Sequence, residues 1–329
     1  LCAAILTPTL VLIGLLAWSS TSQLRERTET QVEDVAVAAT AAMDRQVTAT
    51  EAMLSALATL PALESGDFAQ FHDRASRMAD TQGLLISLRR PDGRQLLSTD
   101  VPYGAPLPRT SLPIDRRVIE GRSAEVNDLQ LGDGGAGSYS VVVPVLAGEQ
   151  VRYLLTATLP ATRVAETLAG VLPSSVWAAS LSDRNGLVVG RTRDHQQWVG
   201  RPITEPLREA AVLDRGTWTG PSHEGQPIIG GFARSGHTGW LAAVGVSRSE
   251  VAVPARTSAL AVGLAAVLFA LLSVVFAMLF ARHLVRPLAQ LARRADDLAE
   301  GRPVKPLPSG FQEVDAVGSA LASAAEAID

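Results

Sequence analysis

From Ala259 to Ala281 the chain runs through twenty-three residues without a charge. Coiled at about 1.5 Å per residue, such a run measures about 35 Å, enough to cross a hydrocarbon layer of roughly 30 Å. Soluble helices seldom stay apolar around their whole circumference for so long, so a membrane span is expected over 258–281. Arg282, Arg286, Arg293 and Arg294 follow it with no acid before Asp296, whereas the preceding flank mixes Arg248, Glu250 and Arg256. Positive charge stays on the cytoplasmic side, which puts the C-terminal end there. Leu1 to Trp18 is uncharged as well, with Trp18 at the depth where an indole prefers the headgroup boundary. It reads as a first span over 1–18, tolerant of Pro8, with a cleaved signal peptide as the alternative. The chain opens without Met and is read as part of a longer protein.

Two such spans oblige the stretch between them, of ordinary polarity, to lie outside the cytoplasm. In a Gram-negative cell that is the periplasm, with the spans in the inner membrane. Cys2 is the single cysteine, so no intrachain disulfide and no Cys-based metal cluster can form, and the stretch is held by its own core. A net charge of −4 leaves no broad basic surface, which excludes nucleic acid as a partner.

Leu24, Val32, Val35, Ala39, Ala42, Gln46, Met53, Leu57 and Leu60 recur mostly at three- and four-residue steps, and Pro61 forbids continuation. A helix this long reaches about 60 Å, and its Ala-rich stripe is expected to meet a second copy of the chain, with intrachain packing as the alternative. Asp67 as N-cap, apolar Phe68, Phe71, Ala75 and Met78, and Gly83 as stop predict a second helix. The period then changes to strands: Leu84 to Leu88, a turn at Arg90-Pro91-Asp92-Gly93, and Gln95 to Ser98. Trp177 to Leu181, Arg184-Asn185-Gly186 and Leu187 to Arg191 repeat this grammar, with Asn185 lying 93 residues after Asp92. Each half closes on two further strands, Tyr139 to Leu146 with Val151 to Leu159, and Ile228 to Ala233 with Trp240 to Val246.

A stalk helix followed by two strand-turn-strand units between spans resembles the double Cache, or tandem PAS-like, sensory region of bacterial receptors. The likeness covers roughly Gln23 to Val253. It is carried by Ser138-Tyr139-Ser140-Val141-Val142-Val143-Pro144-Val145, Trp198-Val199-Gly200-Arg201-Pro202 and Thr238-Gly239-Trp240-Leu241. The resemblance implies stalk helices over 19–83, a membrane-distal module over 84–160 that would hold any small ligand, and a membrane-proximal module over 161–256.

After the second span, Arg286-Pro287 opens a helix in which Leu288, Leu291, Ala295 and Leu298 keep a 3-4-3 spacing up to Gly301. Pro303, Pro306 and Pro308 hold the next stretch extended, with Val304 and Leu307 as apolar contacts. Val314, Val317, Leu321, Ala324 and Ile328 then form a second seam. Two short heptad helices cannot bury their seams alone, so a homodimer is expected. Residues 282–329 resemble a HAMP domain through Arg286-Pro287, Leu298-Ala299-Glu300-Gly301 and Glu313-Val314. That resemblance implies that Pro287 ends the register of the membrane helix and that Glu313 fixes the packing of the second helix. The fold class expected is therefore an α+β membrane protein: two spans, a stalk helix, two antiparallel-sheet modules and a HAMP coiled coil.

Gly132-Asp133-Gly134-Gly135-Ala136-Gly137 matches a dinucleotide fingerprint on paper, but a strand follows where a helix N-terminus is needed, so it reads as a loop. The histidines at 72, 195, 223, 237 and 283 show no ligand spacing; Asp194-His195 and His223-Glu224 read as surface polar residues, and no metal or cofactor is expected. No catalytic signature occurs either. Candidate ligand contacts in the first module are Tyr103, Arg116, Arg117, Asp128, Tyr139, Arg152 and Tyr153, because a guanidinium with an opposed acid suits a carboxylate or amino-acid-like molecule. The expected function is sensing and transmission in a transmembrane receptor whose absent output is a histidine kinase addressing a response regulator. A diguanylate cyclase, a chemotaxis module, or an anchored extracytoplasmic enzyme or adhesin are the alternatives.

Overall fold

The computed structural model describes residues 2–132, 135–280 and 282, with side chains described from Glu26 to Ser249 apart from 133 and 134, and again over much of 263–280. The expected HAMP residues Pro287, Leu288, Leu291, Leu298, Gly301, Leu307, Glu313, Val314, Val317 and Leu321 lie outside the described residues, and so do the side chains of the expected first span.

Two units are distinguished by their contacts, one of them Gln23–Val253. Helix α1 (Cys2–Ala58) supplies the spine of this unit and ends where the sequence predicts, with Pro61 in the first turn of a new short helix, α2 (Pro61–Ser65). Helix α3 (Phe68–Gln82) has both caps expected of it: Asp67 Oδ1 accepts from the Gln70 N–H at 3.0 Å, and Gly83 takes φ 58° to turn the chain out. Strands β1 (Leu85–Arg89), β2 (Gln95–Ser98), β3 (Glu125–Leu131), β4 (Gly137–Ala147) and β5 (Gln150–Pro160) form an antiparallel sheet in the order β2-β1-β5-β4-β3, with helix α4 (Asp115–Gly121) between β2 and β3. After helix α5 (Thr162–Ala169), strands β6 (Ala178–Ser182), β7 (Val188–Arg191), β8 (Arg215–Pro221), β9 (Pro227–Arg234) and β10 (Leu241–Ser247) build a second sheet in the order β7-β6-β10-β9-β8. Helices α6 (His195–Trp198) and α7 (Glu205–Ala210) lie between β7 and β8.

The two orders are the same, and the repeat is stricter than the turns alone suggest. Thr99 closes its hairpin with an N–H to the Ile86 carbonyl and a hydroxyl that accepts from the Ile86 N–H; Thr192 does the same to Ala179, 93 residues on. The Arg94–Arg109 bridge returns as Leu187–Pro202, and the Thr110 N–H bond to Gly93 returns as Ile203 to Gly186.

One face of each sheet packs on α1. Val32, Ala36, Ala39, Met43, Val47, Leu54 and Leu57 join Ile86, Leu88, Val141, Val143 and Leu155 of the first sheet and Ala179, Leu181, Ala242 and Val244 of the second in one core. At Val32, Ala39 and Leu57 the Ala-rich stripe therefore meets its own chain, while Val35, Ala42, Gln46 and Met53 are half-buried. Small side chains serve a close helix–sheet approach, and at Gly231 a Cβ would run into the Val32 carbonyl.

The opposite faces differ. On the first sheet, Leu112, Ile114, Val118, Val142 and Leu154 form a closed layer under α4. Within it Arg89, 1% exposed, is paired bidentately with Asp115, one arm at 2.6 Å, while the Leu112 N–H donates to Asp115 Oδ2 at 2.8 Å. On the second sheet, Val188, Ile203, Leu207, Trp218, Phe232, Leu241 and Ala243 form the corresponding layer, of which Ile203, Leu207, Trp218 and Ala243 line a cavity.

Helix α8 (Arg248–Phe280) ends, in the other unit, in an eighteen-residue stretch, Gly263–Phe280, of mean hydropathy 2.7 and with none of it buried. Among the described residues it is the one stretch long and apolar enough to cross a membrane.

Candidate functional site

The cavity of the second sheet has a volume of about 160 Å³. Strand alternation builds its floor. Ser180 on β6, Arg191 on β7 and Ala243 and Gly245 on β10 all project to the face away from α1, while Trp218 on β8 and Ile203 and Leu207 from the α7 region supply walls. The β8–β9 turn, closed by the Gly225 N–H to Ser222 and the Ser222 N–H to Gln226, brings His223 and Glu224 to the rim.

Arg191 is 6% exposed. Its two Nη groups donate to the two Glu224 oxygens at 2.5 and 3.1 Å, and its guanidinium lies 5.7 Å from the centre of the Trp198 ring. His223 stacks on that ring at 4.4 Å and 25°, with Arg201 also over it at 5.5 Å. These contacts set the protonation states. The hydrogen bond from Arg191 holds the Glu224 carboxyl down at about 2, so it is ionised at any physiological pH. Burial, then the Arg191 charge, pushes His223 below its usual value. The Trp218 Nε1 is buried with no hydrogen-bond partner among the described residues. Together these groups offer a buried cation and an apolar wall in a space that admits a small molecule: cavities of roughly 150 Å³ take up a molecule the size of benzene. No group of three metal-ligating side chains occurs among the described residues.

The candidates expected in the first module are not gathered at one site. Tyr103 is half-exposed near His72, Arg117 pairs with Glu125 at 3.3 Å on the surface, and Arg116 is exposed. Arg152 covers the Tyr153 ring at 5.2 Å, and Tyr153 packs edge-on to Phe68. Tyr139 is fully buried on the α1 face, where burial pushes its hydroxyl pKa up; Gln46 donates to its oxygen at 3.4 Å and Trp240 meets its ring edge-on at 5.4 Å. Asp128 accepts from Trp240 Nε1 at 2.9 Å and from the Arg184 N–H at 3.4 Å, which makes it a joint between the two sheets. His223 and Glu224, set aside on sequence as surface polar residues, are the ones that flank the buried Arg191. The guanidinium-and-acid pairing expected of a ligand site thus occurs at a cavity in the second module.

No protein-family model and no curated protein matches the chain. Solved structures do. The ligand-binding domain of the Pseudomonas fluorescens chemoreceptor CtaA in complex with L-isoleucine is similar at a TM-score of 0.54 and 13% identity, over 71% of this chain and 98% of that one. The ligand-binding domain of the Pseudomonas aeruginosa PAO1 amino acid chemoreceptor PctB in complex with L-Arg gives 0.51 and 12%, over 69% and 98%. The sensor domain of the V. cholerae histidine kinase DctB gives 0.50 and 9%, over 70% and 99%. At such identities the likeness is one of fold: an α+β sensor-domain fold shared by histidine kinases and chemoreceptors.

Proposed function

We propose that this chain is the input and transmission part of a homodimeric receptor of the bacterial inner membrane. A span over 1–18 and a span over 258–281 bracket a periplasmic double Cache unit, with modules over 84–160 and 161–256. Residues 282–329 form a cytoplasmic HAMP bundle that drives a histidine kinase, and through it a response regulator. The observation that carries this reading is the pair of identically ordered sheets on one long helix, in a unit similar in fold to the sensor domain of DctB. The apolar stretch of α8 and the arginines after it support the topology. Chemoreceptor output has equal support, because CtaA and PctB share the fold, and the coding sequence after residue 329 separates the two.

A small extracytoplasmic ligand in the second-sheet cavity would bias the relay, and a coupling of about 1–3 kcal/mol is enough for a five- to hundredfold change in output. The test is Pro287→Ala and Glu313→Ala in the full receptor. Output in membranes is expected to change by at least about fivefold in one or both while the melting of Gln23–Val253 stays put. Unchanged output in both overturns the relay and favours spans that only anchor.

A further inference from the structure

The two sheets share a strand order, and each carries a buried arginine on its face away from α1, yet the arginines are served differently. Asp115 is held by Arg89, by the Leu112 N–H and by Ser111, and its side chain is 10% exposed. That pair is a sealed structural element. Arg191 is buried to a similar degree, but its partner reaches in from a hairpin turn, with the Glu224 side chain 36% exposed. Backbone bonds of Ser222, Gly225 and Gln226 close this turn, so it keeps its shape when the carboxylate leaves. Glu224 can withdraw into water at little cost, provided that another anion takes Arg191, since a buried guanidinium left alone is strongly disfavoured.

The wall charges agree. Of Arg191, Arg193, Asp194 and Glu224, only Arg191 is buried, so the charge facing the interior is positive. A ligand amine would have to approach it, whereas a carboxylate reproduces the two-pronged geometry that Glu224 already adopts. The same cavity is lined by Ile203, Leu207 and Ala243, apolar surface that suits a few methylenes.

We propose that this cavity binds a short-chain monocarboxylate, whose carboxylate replaces Glu224 on Arg191 and whose hydrocarbon tail lies against Ile203, Leu207 and Ala243. Glu224 is then a tethered occupant of the ligand's own anion site, and its release reports binding to the β8–β9 turn. The assignment presupposes that the unit is sensory and names what it senses.

The test is equilibrium dialysis of radiolabelled butyrate, butyramide and butylamine against the full chain in nanodiscs, wild type and Glu224→Gln. Butyrate is expected to bind in preference to the other two, and to bind about tenfold tighter to Glu224→Gln, because the competing charge is gone. A misfolded variant cannot produce that gain. Arg191→Gln should lose butyrate by a similar factor. Equal binding of butyramide with no gain in Glu224→Gln, preference for butylamine, or no butyrate binding to either protein overturns the carboxylate assignment. The first two outcomes leave a sensor of another ligand class, and the relay itself is judged separately by Pro287 and Glu313.

Discussion

Arg89 and Asp115 set the largest single-residue expectation in the protein. Removing one member of a buried, hydrogen-bonded ion pair strands the other, at a cost of about 3–5 kcal/mol. Asp115→Ala should therefore lower the denaturant midpoint steeply, while a double replacement by apolar residues, Arg89→Met with Asp115→Leu, should recover most of the loss. A double-mutant cycle in chemical denaturation checks this; an Asp115→Ala chain as stable as wild type contradicts the burial described. Glu224 behaves differently, because its pKa is depressed from the usual 4.5 to about 2 by Arg191. A depressed carboxyl contributes stability above its unfolded pKa and loses it as pH falls through the folded value, so the contribution fades between about pH 4.5 and pH 2. Acid titration of Glu224→Gln should show a shallower decline over that window than wild type. Neither residue stands out in the sequence. His223-Glu224 carries only the information that a loop is polar, and its importance comes from where the β8–β9 turn places it. A signal was present in Arg191, which ends the apolar run Leu187-Val188-Val189-Gly190 in a short strand and so had to be buried with a partner.

Among the elements, those with strong periodicity or strong caps were legible: α3, the two hairpins and the paired strands β4–β5 and β9–β10 all lie within a few residues of expectation. The strands β3 and β8 were missed, and both are sheet edges. An edge strand is wetted along one side, so Glu125–Leu131 and Arg215–Pro221 carry mixed polar sequence with little alternation to read. The stripe of α1 was legible as buried, but amphipathicity states that a face is covered and not by what. Its cover by the chain's own sheets has a direct readout. In a Cys2→Ser background, Ala39→Cys should resist maleimide in the native protein while its neighbour Ala38→Cys reacts, since Ala39 is fully buried and Ala38 exposed. Equal labelling rates would put the stripe elsewhere. Gly231→Ala tests the same contact from the sheet side: a methyl against the Val32 backbone is overpacking, expected to cost about 1–3 kcal/mol in denaturant unfolding.

The Gln23–Val253 unit has two sheets and one core, because α1 contributes side chains to both and Asp128 ties Arg184 and Trp240 across the joint. Its β5 and β10 amides, for example Leu155 and Val244, are expected to exchange with solvent hydrogen through one common opening, at one free energy. Two separate free energies in native-state exchange would make the sheets independent domains. The duplicated hydrogen bonds bear on how such a chain can change. Residues 86–110 and 179–203 are of equal length and are closed internally by the same bonds. Exchanging the two stretches would preserve both hairpin closures and the length of the chain, but it would carry Arg89 away from Asp115 and Arg191 away from Glu224, so the two ion pairs are what keep the halves from being interchangeable.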